Sequence, residues 1–178
     1  MKFNAPRGTH DLWGTNVQKI RFLEELCIKI FEKYNYSEIR FPTFEDAGLF
    51  SRSIGETTDI VEKEMYLFED KKGRKLALRP EGTASVVRAL LENNILQDLA
   101  LGKLYYVGPM FRYERPQSGR YREFYQVGAE YFGNQDPSAD AEIICLSVEI
   151  MNALGIQEPQ THINTLGCVS CRPKFKES

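Results

Sequence analysis

Apolar residues recur at three- and four-residue spacing in some stretches of the chain and at every second position in others. The two periods divide it into helices and strands. Ile20, Leu23, Leu26, Cys27, Ile30, Phe31 and Tyr34 form one helical stripe, which predicts an amphipathic helix from a Thr15 N-cap to about Lys33. Asn35-Tyr36 ends it, and Ser37 to Phe41 reads as a short strand before Pro42. Proline cannot donate to a ladder, so that strand suits a sheet edge open to a second copy of the chain. Phe44 to Ser53 reads as a short helix, and Glu56 to Asp59 as a loop ahead of another strand-like run. Met65 to Glu69 and Lys75 to Leu78 bracket Asp70 to Arg74, a hairpin signal with Gly73 free to take positive φ.

That hairpin delivers Arg79-Pro80-Glu81-Gly82-Thr83 to a helix spanning Ala84 to Glu92, whose inner face carries Val86, Val87, Leu90 and Leu91. At such a helix start Thr83 suits the cap and Glu81 complements the dipole, which is reason enough for both residues. Asp136-Pro137-Ser138 then opens a helix from about Ala139 to Ala153, stopped by Gly155, and Thr161 to Leu166 reads as a last strand. Hairpins and mixed strands without a regular strand-helix alternation predict an α+β fold: a largely antiparallel sheet flanked by helices.

The stretch from Tyr105 to Phe132 is the most informative. It reads as two strands rich in Tyr, Phe and Val, joined by a basic loop with Pro116, Gln117, Ser118 and Gly119 as turn residues. Alternation puts Tyr105, Val107, Pro109, Phe111 and Tyr113 on one face of the first strand, and Gly108, Met110, Arg112 and Glu114 on the other. In the second strand Tyr125, Val127, Ala129 and Tyr131 oppose Phe124, Gln126, Gly128 and Glu130. Pairing of the strands brings the two polar sets together, with Arg115, Arg120 and Arg122 in or beside the loop. An aromatic ring, an amide, carboxylates and forked guanidinium groups suit a nucleotide, because arginine grips phosphate oxygens bidentately and stays charged. The same spacing is also that of a half-buried sheet edge with a solvated tip.

Composition narrows the field. The chain has 178 residues, 42% of them hydrophobic, enough for a real core and one domain. Lys and Arg number 23 against 25 Asp and Glu, a net charge of -2, so the molecule carries no global field for nucleic acid and any RNA contact rests on a local patch such as the loop arginines. No apolar run approaches membrane-spanning length and Met1 to Asn4 lacks the apolar core of a signal peptide, so a cytoplasmic location is expected. Cys27 and Cys145 fall in helical patterns and are expected as free thiols. Cys168 and Cys171 have knuckle spacing, but a structural zinc needs four ligands and no second pair is present, so no metal site is assigned. His10 is a lone loop histidine, beside substrate or RNA or of no special role.

The run from Gly108 through Arg112, Glu114, Arg120, Phe124 and Gln126 to Glu130 resembles motif 2 of histidyl-tRNA synthetase, a class II aminoacyl-tRNA synthetase. Pro6 to Asp11, Tyr36 to Pro42 (similar to motif 1), Asp59 to Tyr66 and Leu78 to Thr83 extend the resemblance over nearly every segment. It implies a class II catalytic core and two steps. The histidine carboxylate attacks the α-phosphate of ATP to give histidyl-adenylate, and tRNA(His) then takes the acyl group. Arg112 is implied as the catalytic residue, bridging α-phosphate and carboxylate. Glu114 would read the adenine amino group, Phe124 stack on the ring, and Arg120 hold the outer phosphates with Mg²⁺. Glu81, Thr83 and Gln126 would take the α-amino group and Glu130 the imidazole. A homodimer is implied through the strand before Pro42. Motif 3, a second histidine-binding arginine and tyrosine, and an anticodon-binding domain have no counterpart here. The expectation is therefore an N-terminal portion of the catalytic domain, residues 1–178, with impaired activity alone. Two alternatives stay open: the histidine-sensing regulatory subunit of ATP phosphoribosyltransferase, which is a synthetase paralogue, and a non-catalytic dimerisation module.

Overall fold

A computed structural model describes residues 3–54, 63–97 and 102–164. Among the described residues four helices and six strands follow in the order α1 (Thr15–Lys33), β1 (Ser37–Glu38), β2 (Phe44–Asp46), α2 (Ala47–Ile54), β3 (Leu67–Glu69), β4 (Lys75–Leu78), α3 (Thr83–Asn93), β5 (Gly102–Phe111), β6 (Glu123–Phe132) and α4 (Pro137–Ala153), with a 3-10 turn at Ile95–Gln97 before β5. Two three-stranded sheets result, ordered β1-β5-β6 and β2-β4-β3. Every pairing is antiparallel except β1 with β5, so the α+β, largely antiparallel expectation holds.

The long hairpin β5/β6 is the frame. On one of its faces Tyr105 packs with Cys27, Ile30 and Phe31 of α1 and Leu146 of α4; the Phe31 and Tyr105 rings stack at 4.8 Å. On the other face Leu104, Tyr106 and Met110 pack with Val86 and Leu90 of α3 and with Phe41. The face that carries Tyr105, Val107 and Ala129 is covered only in part, since Tyr125 and Val127 stay partly exposed. The face that carries Arg112, Gln126 and Glu130, in turn, has an apolar end beneath α3. A third cluster, Phe50, Ala77 and Ala84, joins α2, β4 and the start of α3.

Arg79 ties the two sheets together. Its buried guanidinium donates to the carbonyls of Pro109 (2.8 Å), Phe41 (2.8 Å) and Pro42 (3.4 Å), and its backbone bridges Thr43 and Phe111. Burial holds its pKa below the usual arginine value, and three carbonyls take the place of a carboxylate partner. Gly108 is required by this arrangement, because a Cβ there would come 2.8 Å from the Arg79 guanidinium.

Several local expectations change. The first strand shrinks to Ser37–Glu38, since the chain leaves β5 on its approach to Pro42. Phe44–Asp46 is a strand rather than the first turn of a helix, because β4 offers it a partner at Leu76 to Leu78. Gly14, not Thr15, occupies the cap of α1, with Thr15 its first residue. Asp136 caps α4 by accepting from the Ser138 amide at 2.8 Å, with Pro137 in the first turn as expected, and Gly155 ends it at φ 82°. Residues 161–164 form no strand, and the remainder of that expected strand lies outside the described residues, as do Cys168, Cys171 and the loop from Glu56 to Asp59.

Candidate functional site

The register of the hairpin decides which side chains meet. Leu104 opposes Glu130, Tyr106 opposes Gly128, Gly108 opposes Gln126 and Met110 opposes Phe124. The Arg112 amide donates to the Arg122 carbonyl at 3.0 Å, which continues the ladder past the strand end. Glu130, Gln126, Phe124 and Arg112 therefore lie in a row on one face. At roughly 3.4 Å per residue, Phe124 and Glu130 are about 20 Å apart along β6.

At the loop end, the Arg112 guanidinium lies over the Phe124 ring at 5.2 Å and donates through Nε to the Pro80 carbonyl at 2.9 Å. Glu114 sits between two cations, 3.8 Å from Arg112 Nη1 and 3.5 Å from Arg120 Nη1. Arg120 reaches in from solvent, with its side chain 63% exposed, whereas Glu114 is only 15% exposed. Gly119, at φ 78°, closes the tip with a Gln117–Arg120 bridge, a conformation that favours glycine. Glu64, Arg112, Glu114, Gly119, Arg120, Tyr121 and Phe124 help to line a cleft of about 570 Å³. A planar group against Phe124 and an anion near Arg120 match its chemistry.

Not every expected arginine faces this cleft. Arg122 points its donors at the carbonyls of Glu114 (3.3 Å) and Arg7 (3.4 Å), packs over Tyr113 at 4.0 Å and donates its amide to the Gly8 carbonyl. It fastens the N-terminal segment to the loop, with Nε and one Nη of its guanidinium turned to backbone carbonyls. Arg115 is exposed at the loop. His10 meets the Tyr121 ring edge-on at 4.2 Å, in a neighbouring cleft of about 770 Å³ that Phe124 also lines.

The other end is a cluster of carboxylates and hydroxyls at the start of α3. Thr83 is the first helical residue, not the cap. Glu81 does the capping instead, its carboxylate accepting from the Thr83 amide at 2.6 Å and the Ala84 amide at 3.0 Å. This leaves the Thr83 hydroxyl to donate to Glu130 Oε1 at 2.6 Å. Burial raises the Glu130 pKa, the Thr83 bond opposes the rise and the nearby Glu81 carboxylate adds to it. Gln126 Oε1 is buried without a hydrogen-bond partner. A desolvated acceptor of that kind is costly unless a donor arrives to meet it.

One residue here escaped the sequence reading. The Tyr106 hydroxyl reaches the same cluster, and its pKa is pushed up to about 12, by burial first and then by Glu130 and Glu81, against a hydrogen bond with Thr83 that lowers it. The signal that points to it is the pair of glycines flanking its ring, Gly82 and Gly128.

Among the described residues no group of three or more His, Cys, Asp or Glu side chains is placed to hold a metal ion, and no helix is long and apolar enough to cross a membrane.

The chain is similar to known proteins along nearly all its length. A profile described as histidyl-tRNA synthetase matches residues 8–171. Histidine--tRNA ligases of Endomicrobium trichonymphae and Aquifex aeolicus are 56% and 52% identical over 178 residues, all of this chain but 43% and 44% of their own lengths. Among solved structures, apo Staphylococcus aureus histidyl-tRNA synthetase superposes with a TM-score of 0.80 at 37% identity, over 99% of this chain and 41% of that one. A Bacillus halodurans protein described as an ATP phosphoribosyltransferase regulatory subunit/histidyl-tRNA synthetase superposes at 0.75 with 26% identity, over 89% of this chain and 40% of that one. The chain thus spans about two fifths of the length of the relatives it matches.

Proposed function

The chain belongs to the histidyl-tRNA synthetase family, and from that premise we propose that its residues 1–178 are the N-terminal portion of a class II catalytic domain. They hold ATP and histidine for adenylate formation, ahead of transfer to tRNA(His). The observation that carries the reading is the single row of Arg112, Phe124, Gln126 and Glu130 on one strand face, with Thr83 and Glu81 set against its far end.

In this reading adenine stacks on Phe124 and its amino group donates to Glu114. Arg120, already at the mouth of the cleft, leaves Glu114 to take the outer phosphates. Arg112 is fixed by Pro80 through Nε, and its remaining edge bridges the α-phosphate and the amino-acid carboxylate. One carboxylate oxygen of histidine attacks the α-phosphorus, a P–O bond forms, and pyrophosphate leaves with the electrons of the bond that breaks. Arg112 neutralises charge that grows on the α-phosphate oxygens in the transition state. Gln126 Oε1, with no donor of its own, accepts from the α-ammonium group together with Glu81 and Thr83. Glu130 Oε2 accepts from the imidazole N–H. An amino acid lacking that donor would leave the carboxylate desolvated and unpaired, which is a strong means of rejection.

A homodimer through the strand before Pro42, with the exposed sheet that follows it in the chain, and a cytoplasmic location belong to the same proposal. Phe44, Leu67 and Phe68 are exposed on the β2-β4-β3 sheet, with the Phe44 and Phe68 rings 6.0 Å apart, and this apolar patch supports pairing with a second copy. The regulatory-subunit reading draws on the 26% identical neighbour. It leaves Glu114, Arg120 and Phe124 without a purpose, since a sensor that never activates histidine needs no complete nucleotide loop. Histidine-dependent exchange of pyrophosphate into ATP by the natural polypeptide carrying these residues is the expected result. Binding of histidine with no exchange at all would favour the sensor.

A further inference from the structure

Tyr106 lies in β5 directly opposite Gly128, and its ring passes between that residue and Gly82. A Cβ on Gly82 would fall 2.3 Å from Tyr106 Cζ and 2.6 Å from its hydroxyl oxygen, and one on Gly128 would fall 2.2 Å and 2.4 Å from the same atoms. Neither distance is tolerable for any side chain, so two glycines from different elements are committed to seating one tyrosine. Gly82 has φ -101°, an angle open to any residue, so the close approach and not the backbone requires glycine there. Phe41 holds the ring edge-on at 5.3 Å from the far side.

If the purpose were packing alone, phenylalanine would fill the same slot without burying a hydroxyl. The hydroxyl instead ends beside Gly82, between Glu81 and Thr83 in the chain, where it is in hydrogen-bond contact with Thr83 and in the field of the Glu130 and Glu81 carboxylates. Thr83 has one proton, and it points to Glu130 Oε1 at 2.6 Å. Its oxygen can accept from Tyr106 and still has a second lone pair.

We infer that Tyr106 is a positioning residue of the amino-acid site: its hydroxyl, seated between Gly82 and Gly128, donates to Thr83 and so fixes the Thr83 proton on Glu130. That leaves Glu130 Oε2 and the second lone pair of Thr83 aimed at a ligand bearing an ammonium group and a ring N–H. The ligand clause rests on the function proposed above; the hydroxyl chain does not.

The test uses Tyr106→Phe and Thr83→Val, singly and together, in the natural polypeptide that carries these residues. Carboxyl-carbon NMR follows the Glu130 titration without ligand, and calorimetry follows histidine and ATP binding. Without the Tyr106 hydroxyl the Thr83 proton can turn away, so the Glu130 midpoint is expected to rise by about half a pH unit, as when a carboxylate loses part of a hydrogen bond. Histidine affinity is expected to fall about tenfold, the scale of one hydrogen bond, with ATP affinity unchanged. The double variant should lose little more than Thr83→Val alone. Wild-type values for both midpoint and affinity in Tyr106→Phe would overturn the inference while leaving the histidine site standing, and so would a drop in melting temperature with neither readout moved. A wild-type protein that binds no histidine overturns the site reading and the ligand role of Tyr106 together; the unliganded titration then decides only whether the hydroxyl chain exists.

Discussion

Glu130 carries two opposed demands, burial and charge. Its carboxyl pKa is raised in the fold, by burial first, so the folded protein holds that proton to higher pH than the unfolded chain does. The stability it contributes is therefore present at low pH and lost as pH climbs through the folded-state value. Glu130→Gln, which still accepts from Thr83, should melt higher than wild type near pH 7.5, with the gap closing toward pH 4; thermal melts across that range check it. The same residue should separate the two ligands. Glu130→Ala is expected to lose histidine affinity and keep ATP affinity in equilibrium titrations, and equal loss of both would remove its assigned role. Arg112→Ala should instead slow pyrophosphate exchange by about 10²–10³, the usual cost of one donor aimed at developing charge, with the melting temperature little changed. Alternation alone made Arg112, Phe124, Gln126 and Glu130 legible, because it fixes a face without any knowledge of neighbours. It could not exclude Arg122, which shares their parity but is drawn off by the carbonyls of Arg7 and Glu114. Nor could it reveal Tyr106, since a glycine in a strand does not say what it makes room for.

Elements with their own periodicity were readable, and those that exist only through a partner were not. The helices α1, α3 and α4 and the hairpin β5/β6 carry a full stripe or alternation, with end signals such as Asn35 at φ 60° after α1 and Gly155 at φ 82° after α4. Phe44–Asp46 carries none, and is a strand because β4 binds it. The capping of α3 was legible in its chemistry but assigned to the wrong side chain. Glu81 reaches over to the two orphan amides, which frees Thr83 for Glu130. Arg79 shows most clearly how a long-range arrangement hides from local reading, for it lies in the segment leading to α3 yet serves three separate carbonyls. Arg79→Ala removes those donors and orphans buried acceptors, so it should destabilise the protein by about 3 kcal/mol in urea unfolding. Arg79→Lys should recover only part of this, since an ammonium cannot span the same fork. Recovery to wild type would show that charge, and not the planar geometry, holds the sheets together.

At the scale of the molecule, the hairpin is held to its two covering helices by an ion pair in an otherwise apolar layer. Lys103 of β5 is 8% exposed in its side chain and meets Glu142 of α4 at 2.7 Å, with Glu142 25% exposed. Tyr36 donates to the same carboxylate at 3.0 Å, the Tyr34 carbonyl takes a longer bond from Lys103, and the Tyr131 ring lies 4.8 Å from the ammonium. One cation thus joins the end of α1, both strands and α4, on the face opposite the candidate site. Surface pairs such as Lys33–Glu149 add little beside it, because water screens them and both side chains surrender entropy. Removing one member of the inner pair is a different matter, since the other stays behind with its desolvation unmet. Glu142→Leu alone should therefore cost about 3–5 kcal/mol, while Lys103→Met with Glu142→Leu should return to wild-type stability or exceed it. Denaturant midpoints of the two singles and the double measure this directly. If the double falls as far as either single, the pair is a net source of stability and the packing of α4 on the hairpin depends on charge; if it recovers, the pair serves to fix register between helix and sheet, and with it the row of side chains on the opposite face.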